Sequence, residues 1–275
     1  MVATPIGNRT DLSPRALAVL AAVDVVAAED TRVSGQLLRS FGVQTPLFSL
    51  REHNEREAAD KVIERLKRGE AVAQISDAGT PAVSDPGSRL VAAVHAAGFK
   101  VVPIPGPSAV LAALAAGGMI SPRFYFHGFT DSKAQARRRE LEPLSKLPHT
   151  LVLFEAPHRI EECLNDLVAI MGADRIGVLA RELTKTFETI RRAPLHELAT
   201  WVAADTNQQR GEIVLLIEAA EMQADGEDEW DDLLTTLLSE LPVKQAVKLA
   251  AEISGAPRNR LYERALDLKK ALSAG

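Results

Sequence analysis

The stretch AVAQISDAGTPAVSDPG (71–87) decides how the chain is read, because a short apolar run feeds directly into a loop rich in glycine and proline. The same device recurs twice. Thr4-Pro5-Ile6-Gly7-Asn8 follows the opening apolar residues, and Pro105-Gly106-Pro107-Ser108 follows KVVPI (100–104). In an open α/β sheet, ligands sit beyond the carboxyl ends of strands. Glycine lets backbone approach a ligand closely there, and proline sets the turn. One such loop is an ordinary turn. Three at successive strand ends point to a ligand site.

Working outward, short β-branched runs alternate with longer amphipathic ones, the rhythm of βαβ units. Strands are expected at 24–28, 71–75, 100–104, 124–127, 150–154, 175–180 and 212–218. Helices are expected at 14–22, 31–40, 54–68, 87–97, 107–117, 133–146, 158–171 and 194–203. Ser13-Pro14 is a capping residue followed by proline at the first helical position. Val2-Ala3-Thr4 is too short for a central strand, so a few natural residues are expected ahead of Met1. The texture changes near Met119, giving an N-terminal α/β domain at 1–118 and a second at 119–220. Residues 221–232 hold seven acidic side chains, which suits a solvated linker. Beyond it, 243–275 carries seven basic and three acidic side chains. VKQAVKLAAEIS, a GAP turn and RNRLYERALDLKK give that last part the outline of a helix-turn-helix.

Composition excludes several classes. The 275 residues carry a net charge of −5, with 46% hydrophobic and 25% charged side chains, the balance of an ordinary globular protein. No apolar stretch approaches the roughly 18 residues of a membrane span, and the N-terminus has no secretory pattern, so a cytoplasmic protein is expected. A single cysteine, Cys163, permits neither an internal disulfide nor a multi-thiolate metal site. Net acidity argues against non-specific coating of nucleic acid, while local basic patches leave a nucleic-acid substrate open.

The common catalytic signatures are missing. There is no phosphate-cradling G-x-x-x-x-G-K-[ST], no G-x-G-x-x-G after a strand and no H-E-x-x-H, and no metal is expected. Gly106-Pro107-Ser108-Ala109-Val110 lacks the second glycine of a nucleophile elbow. What remains is polar loop residues: Glu29-Asp30-Thr31-Arg32, Arg51 to Asn54, Ser76-Asp77, Ser84-Asp85, Glu155 with His158-Arg159, and Arg181-Glu182 with Lys185. Taken singly these read as caps, surface pairs or turns. Asp30 and Asp85 suit caps, His95 suits a packed helix, and Phe124, Tyr125, Phe126 and Phe129 suit a buried strand. His53, in a loop of charged neighbours, stands apart as a candidate for chemistry.

VATPIGN (2–8), AAEDTR (27–32), ISDAGTPAVSDPG (75–87), IPGPSA (104–109), FEAPHR (154–159) and ARELTK (180–185) closely resemble the ribosomal-RNA branch of the tetrapyrrole methylase superfamily. Six motifs in order span nearly the whole chain. The first loop departs from the Gly-x-Gly-Pro-Gly-Asp of most of the superfamily, which fits that branch and argues against a porphyrin-type substrate. Where the branch has a histidine ahead of the His-Asn pair, this chain has Arg51.

The resemblance implies a two-domain class III methyltransferase fold with a small C-terminal helical unit, S-adenosylmethionine held between the halves, and a homodimer. It implies as substrate the ribose 2′-hydroxyl of a cytidine in 16S ribosomal RNA near the decoding centre. Carried across, the cofactor cleft draws on Pro5, Asp77, Ala78, Val83, Ser108, Ala109, Glu155, Ala156, Arg181, Glu212 and Ile213. A ribose hydroxyl is a poor acid, so a general base is expected, with His53 first, then Asp30, Glu29 and Glu182. Arg32, Arg159 and Lys185 are expected on phosphates. Lys133 and Arg137, Arg138 and Arg139 beside the aromatic run suit single-stranded RNA, and Lys244, Arg258 and Arg260 extend the basic surface. The rivals are a small-molecule methyltransferase and a non-catalytic ribosome-assembly factor.

Overall fold

Two parallel-stranded βαβ windings open the chain, because strands that point the same way need a helical crossover to return. The computed structural model describes residues 1–220 and 230–273, which divide into compact units of 1–220 and 221–275. In the first unit, α1 (Pro14–Ala22), β1 (Val25–Ala28), α2 (Thr31–Ser40), β2 (Leu47–Ser49), α3 (Glu55–Lys67), β3 (Val72–Ile75) and α4 (Ser88–Ala96) form a parallel sheet of order β2-β1-β3 with its helices. β1 shows why its sequence is uniformly apolar. Val26 and Ala28 face Leu20 and Leu38 on one side, while Ala27 faces Ala59, Val62 and Leu90 on the other. Ser13 caps α1 as expected, accepting the Ala16 N–H at 3.1 Å.

Next come α5 (Ala109–Gly117), β4 (Phe124–Phe129), α6 (Ala134–Leu144), β5 (Thr150–Glu155), α7 (Ile160–Met171), β6 (Ile176–Arg181), β7 (Thr189–Pro194), α8 (Leu195–Ala204) and β8 (Ile213–Ile217). The sheet order is β4-β5-β8-β6-β7, with only β4 and β5 parallel. Central β8 is buried throughout. Ile213, Leu215 and Ile217 pack with α7 and α8, and Val214 and Leu216 pack with α5. α5 therefore belongs by packing to this second sheet, although it lies before the expected boundary at 118. Gly117 permits the approach, since a Cβ there would lie 2.5 Å from Leu216 Cδ1.

The elements depart from expectation where a partner decides the outcome. Residues 100–104 do not form a strand; only Ile104 bridges Val2, since the neighbouring segment is too short to pair further. β2 and β7 were not expected, because a three-residue run and TIRRAP carry no alternation of their own. They are strands through their ladders to β1 and β6. His95 is exposed rather than packed. Phe124, Tyr125 and Phe129 are likewise exposed, because β4 is an edge strand.

Among the described residues the second unit is three helices, α9 (Asp231–Glu240), α10 (Val243–Ser254) and α11 (Arg258–Ser273). Its core is Leu234, Val247, Ala250, Leu261 and Ala265. α10, turn and α11 match the expected pattern, and α9 adds a helix to it. Arg264 is held to Asp231 by two bonds of 2.6 and 2.7 Å. Of the acidic run at 221–232, all but the last three residues lie outside the described residues.

Asp85 is not a cap; the start of α4 is capped from another helix. Glu55 on α3, 5% exposed, accepts the N–H groups of Gly87 and Arg89 at 2.9 Å and of Leu90 at 3.2 Å through one carboxyl oxygen. A helix N-terminus has no partner of its own for these donors. Glu55→Ala leaves them unsatisfied in the interior and is expected to lower stability by about 2–4 kcal/mol in urea unfolding, with Glu55→Gln recovering part of the loss.

Candidate active site

Backbone bonds stitch the three Gly/Pro loops together. Thr4 and Gly79 exchange N–H···O bonds of 2.9 and 3.0 Å, and Thr80 Oγ1 donates to the Pro107 carbonyl at 3.0 Å. Ser108 caps α5 through the Leu111 N–H. The loops frame a cavity of about 380 Å³. One side is Ile6, Ala78 to Thr80, Val83 to Asp85 and Ser108 to Val110. The other is Phe129, Phe154 to Pro157, Leu183 and Gly211 to Val214.

Backbone strain gathers at this place. Among the described residues the non-glycine positions with left-handed φ are Ala82 (67°), Ser84 (61°), Glu182 (51°) and Thr184 (66°), two on each side of the cavity. Such conformations cost roughly 1–3 kcal/mol each and persist where surrounding bonds over-determine them. Here Thr184 Oγ1 accepts the Asn8 N–H at 3.0 Å, and Glu182 Oε1 accepts the Glu212 N–H at 2.9 Å.

Glu155 ends β5 with a fully buried carboxylate. It receives Thr130 Oγ1 at 3.0 Å, its neighbour's N–H from Ala156 at 2.7 Å and Arg159 Nε at 2.8 Å. A buried charge needs such partners. Below it, burial chiefly, with help from Glu155, pushes the Cys163 thiol far above its ordinary value, so that sulfur is inert.

A second acidic group gathers at the 76–87 loop. Asp77 Oδ1 accepts the Asp30 N–H at 3.0 Å, tying the β1–α2 turn to the β3 loop. Burial and then the charges of Asp85 and Asp77 raise the proton affinity of Glu29. Burial raises that of Asp85 as well, opposed by a Ser76 bond and reinforced by Asp77. Asp30 goes the other way. It caps α2, and the Arg32 guanidinium holds its carboxyl well below the usual range. For Glu182, burial pushes upward, but the Lys185 ammonium and the Glu212 N–H outweigh it and leave the group lowered.

The expected cofactor residues divide accordingly. Ala78, Val83, Ser108, Ala109, Glu155, Ala156, Glu212 and Ile213 line the cavity. Pro5 and Asp77 do not; Asp77 instead bonds the Asp30 N–H. Arg181 is spent on structure, bonding Gln208, Arg210, Phe187 and Thr189. Of the base candidates, His53 is exposed on a 3-10 turn and Glu29 lies near Asp85, and neither lines the wall.

The expected RNA contacts divide too. Arg137 is 1% exposed and bonds Asp166 at 2.7 Å, so it is a core ion pair and cannot reach a phosphate. Arg138 shares Asp166, Arg159 is bound to Glu155, and Lys185 lies between Glu182 and Glu212. Arg32, Lys133, Arg139, Lys244, Arg258 and Arg260 are exposed. Of the wall residues not expected in the cofactor cleft, Ile6, Thr80, Asp85, Phe154 and Leu183 sit inside the quoted motifs, whereas Val110, Phe129, Gly211 and Val214 lie outside them.

The cavity's volume lies in the range of small-molecule sites. Its lining suits S-adenosylmethionine, with Ile6, Val83, Phe154 and Leu183 for an apolar ring and the backbone of the Gly/Pro loops for hydroxyl and amino groups. Residues 1–199 match the family described as Tetrapyrrole (Corrin/Porphyrin) Methylases, and 224–269 match the RsmI C-terminal HTH domain. The chain is 54% identical to the Ribosomal RNA small subunit methyltransferase I of Pseudomonas aeruginosa, over 97% of this chain and 95% of that one. It is 48% identical to the protein of that name from Escherichia coli O157:H7, over 97% and 94%. Among solved structures, diphthine synthase overlays with TM-score 0.62 at 18% identity, covering 79% of this chain and 88% of that one. The cobalt precorrin-4 methyltransferase CbiF overlays with TM-score 0.60 at 19% identity, covering 79% and 92%. On its loops, its cavity and these matches, the chain belongs to the tetrapyrrole methylase family.

Proposed function

We propose that the chain transfers a methyl group from S-adenosylmethionine to the ribose 2′-oxygen of a cytidine in 16S ribosomal RNA. One observation carries the reading. Five of the six motifs quoted above contribute to the wall of a single cavity, in a chain whose near-full-length relatives are named as small-subunit ribosomal RNA methyltransferases. Loops on both sides of the expected boundary at 118 contribute to that cavity. We take the protein to work as a homodimer in the cytoplasm, where ribosomal RNA is its substrate.

When bound, S-adenosylmethionine supplies a methyl group on a sulfonium with a good leaving group. The chain's own tasks are in-line alignment and removal of one proton. Asp85 is the carboxyl group in the wall whose surroundings raise its proton affinity, and it is placed to take the ribose proton. Glu29 stands behind it as a like charge. Asp30 and Glu182 are weakened as bases by their cationic partners. Glu155, fully buried and paired with Arg159, holds the wall in place rather than meeting the ligand. Arg32, Lys133, Arg139, Lys244, Arg258 and Arg260 contact phosphates. The direct test is mass spectrometry of 16S RNA nucleosides from a deletion strain, which should lack one ribose-methylated cytidine.

Asp85→Asn is expected to lower kcat by about 10²–10⁴ with cofactor affinity within a few-fold. The base acts when ionised, so wild-type kcat/KM should climb with pH through a midpoint above the ordinary aspartate value. That acid limb should vanish in Asp85→Asn; its persistence would move the role to Glu29.

Ending the chain at Ala220 should leave a folded protein that binds cofactor, because 1–220 is compact by itself and contains every wall residue. Methylation of RNA should fall, and the salt dependence of RNA binding should flatten by roughly 0.7 in slope per lost phosphate contact. Calorimetry with S-adenosylmethionine and filter binding across salt concentrations check both halves.

A further inference from the structure

β4 carries an irregularity that the fold alone does not need. Its pairing with β5 slips between Phe126 and Gly128, and Gly128 has φ 85°. A Cβ at Gly128 would sit 3.1 Å from Ser84 Oγ, so the bulge lies tight against the loop that carries Val83 and Asp85. A bulge re-aims the side chains after it. The one re-aimed is Phe129, which lines the cavity yet remains 55% exposed.

Phe129 is also held still. Its ring meets Phe154 edge-on, with centroids 5.5 Å apart and planes at 63°, and Phe154 is braced on its other side by Phe126 at 5.0 Å. The next residue, Thr130, is buried and bonded to Glu155. An aromatic face fixed from behind and open in front is a stacking platform, and such a face loses little freedom when a flat ring lands on it.

We propose that Phe129 is the platform on which the base of the target nucleotide stacks when its ribose enters the cavity. This rests on the RNA-methylating reading above. Two flat rings could claim the place, the adenine of the cofactor or a base of the RNA. Exposure favours the RNA base, because the Phe129 ring is half open while Phe154 is half-buried and Leu183 is buried. Charge favours it as well, since the exposed Lys133 and Arg139 follow shortly after in the chain. Single-stranded RNA is recognised by splayed bases on aromatic faces beside cationic groups. The platform reads a π-face, so it positions the nucleotide without choosing among bases.

The test compares the wild-type chain with Phe129→Ala, Phe129→Leu and Phe129→Tyr. Affinity for transcribed 16S RNA is measured by filter binding, S-adenosylmethionine affinity by calorimetry, and steady-state methylation gives KM and kcat. Phe129→Ala should weaken RNA binding and raise the RNA KM by about 5- to 150-fold, the range of one base–aromatic stack. Cofactor affinity should stay within threefold. Phe129→Leu should resemble Phe129→Ala because it keeps apolar bulk without a π-face, and Phe129→Tyr should restore the wild-type values. An equal or larger loss of cofactor affinity would assign the ring to adenine and overturn the proposal, as would unchanged RNA affinity in Phe129→Ala. A wild-type chain that binds cofactor but neither binds nor methylates RNA would overturn both this inference and the reading beneath it.

Discussion

A carboxylate with no exposed surface must be answered by donors from several directions, and the cavity wall is organised around one such group, that of Glu155. Its oxygens draw in Thr130 from the end of β4, Arg159 from the start of α7 and the N–H of Ala156 at the end of β5. Removing any of these donors would leave charge in a low-dielectric interior, which costs far more than the bond itself contributes. The arrangement therefore fixes three chain segments against each other at the place where a ligand must be met. It also explains why Arg159, basic and beside a cleft, is not available to RNA.

Charge elsewhere follows the same division between structure and contact. The run Arg137-Arg138-Arg139 looks uniform in one dimension. In three, α6 turns Arg137 inward onto Asp166 of α7, leaves Arg138 shared between Asp166 and solvent, and exposes Arg139. Successive helical residues are separated by about 100°, so one basic triplet cannot serve one face. The acidic residues divide as well. Asp30 and Glu182 are lowered by cations, whereas Glu29 is raised by burial with the charges of Asp85 and Asp77, and Asp85 by burial with that of Asp77. Carboxyl groups of one kind thus acquire opposite chemistry from their neighbours.

Strain and irregularity sit with the cavity rather than being scattered. The left-handed Ser84 faces the bulge at Gly128, and the left-handed Glu182 and Thr184 are tied to Glu212 and to the first loop. Loops that must approach a ligand closely cannot all adopt relaxed turns, and the bonds across them hold what local preference would not.

The amino-acid sequence by itself determined the βαβ rhythm, the helical pattern that follows the acidic run, and the Gly/Pro loops as ligand wall. These are local matters: periodicity, turn chemistry and the Ser13-Pro14 cap act within a few residues. The six motifs also carried the family. The tertiary structure alone decided which strands exist at the edges, since β2 and β7 are strands through their partners and 100–104 lacks one. It alone placed α5 on the second sheet, withdrew Arg137, Arg159 and Arg181 into bonds, and brought Asp85 and Phe129 into the wall. The physical reason is common to all of these. Pairing, burial and the sign of a pKa shift depend on groups distant in the chain, and no window of sequence contains both partners.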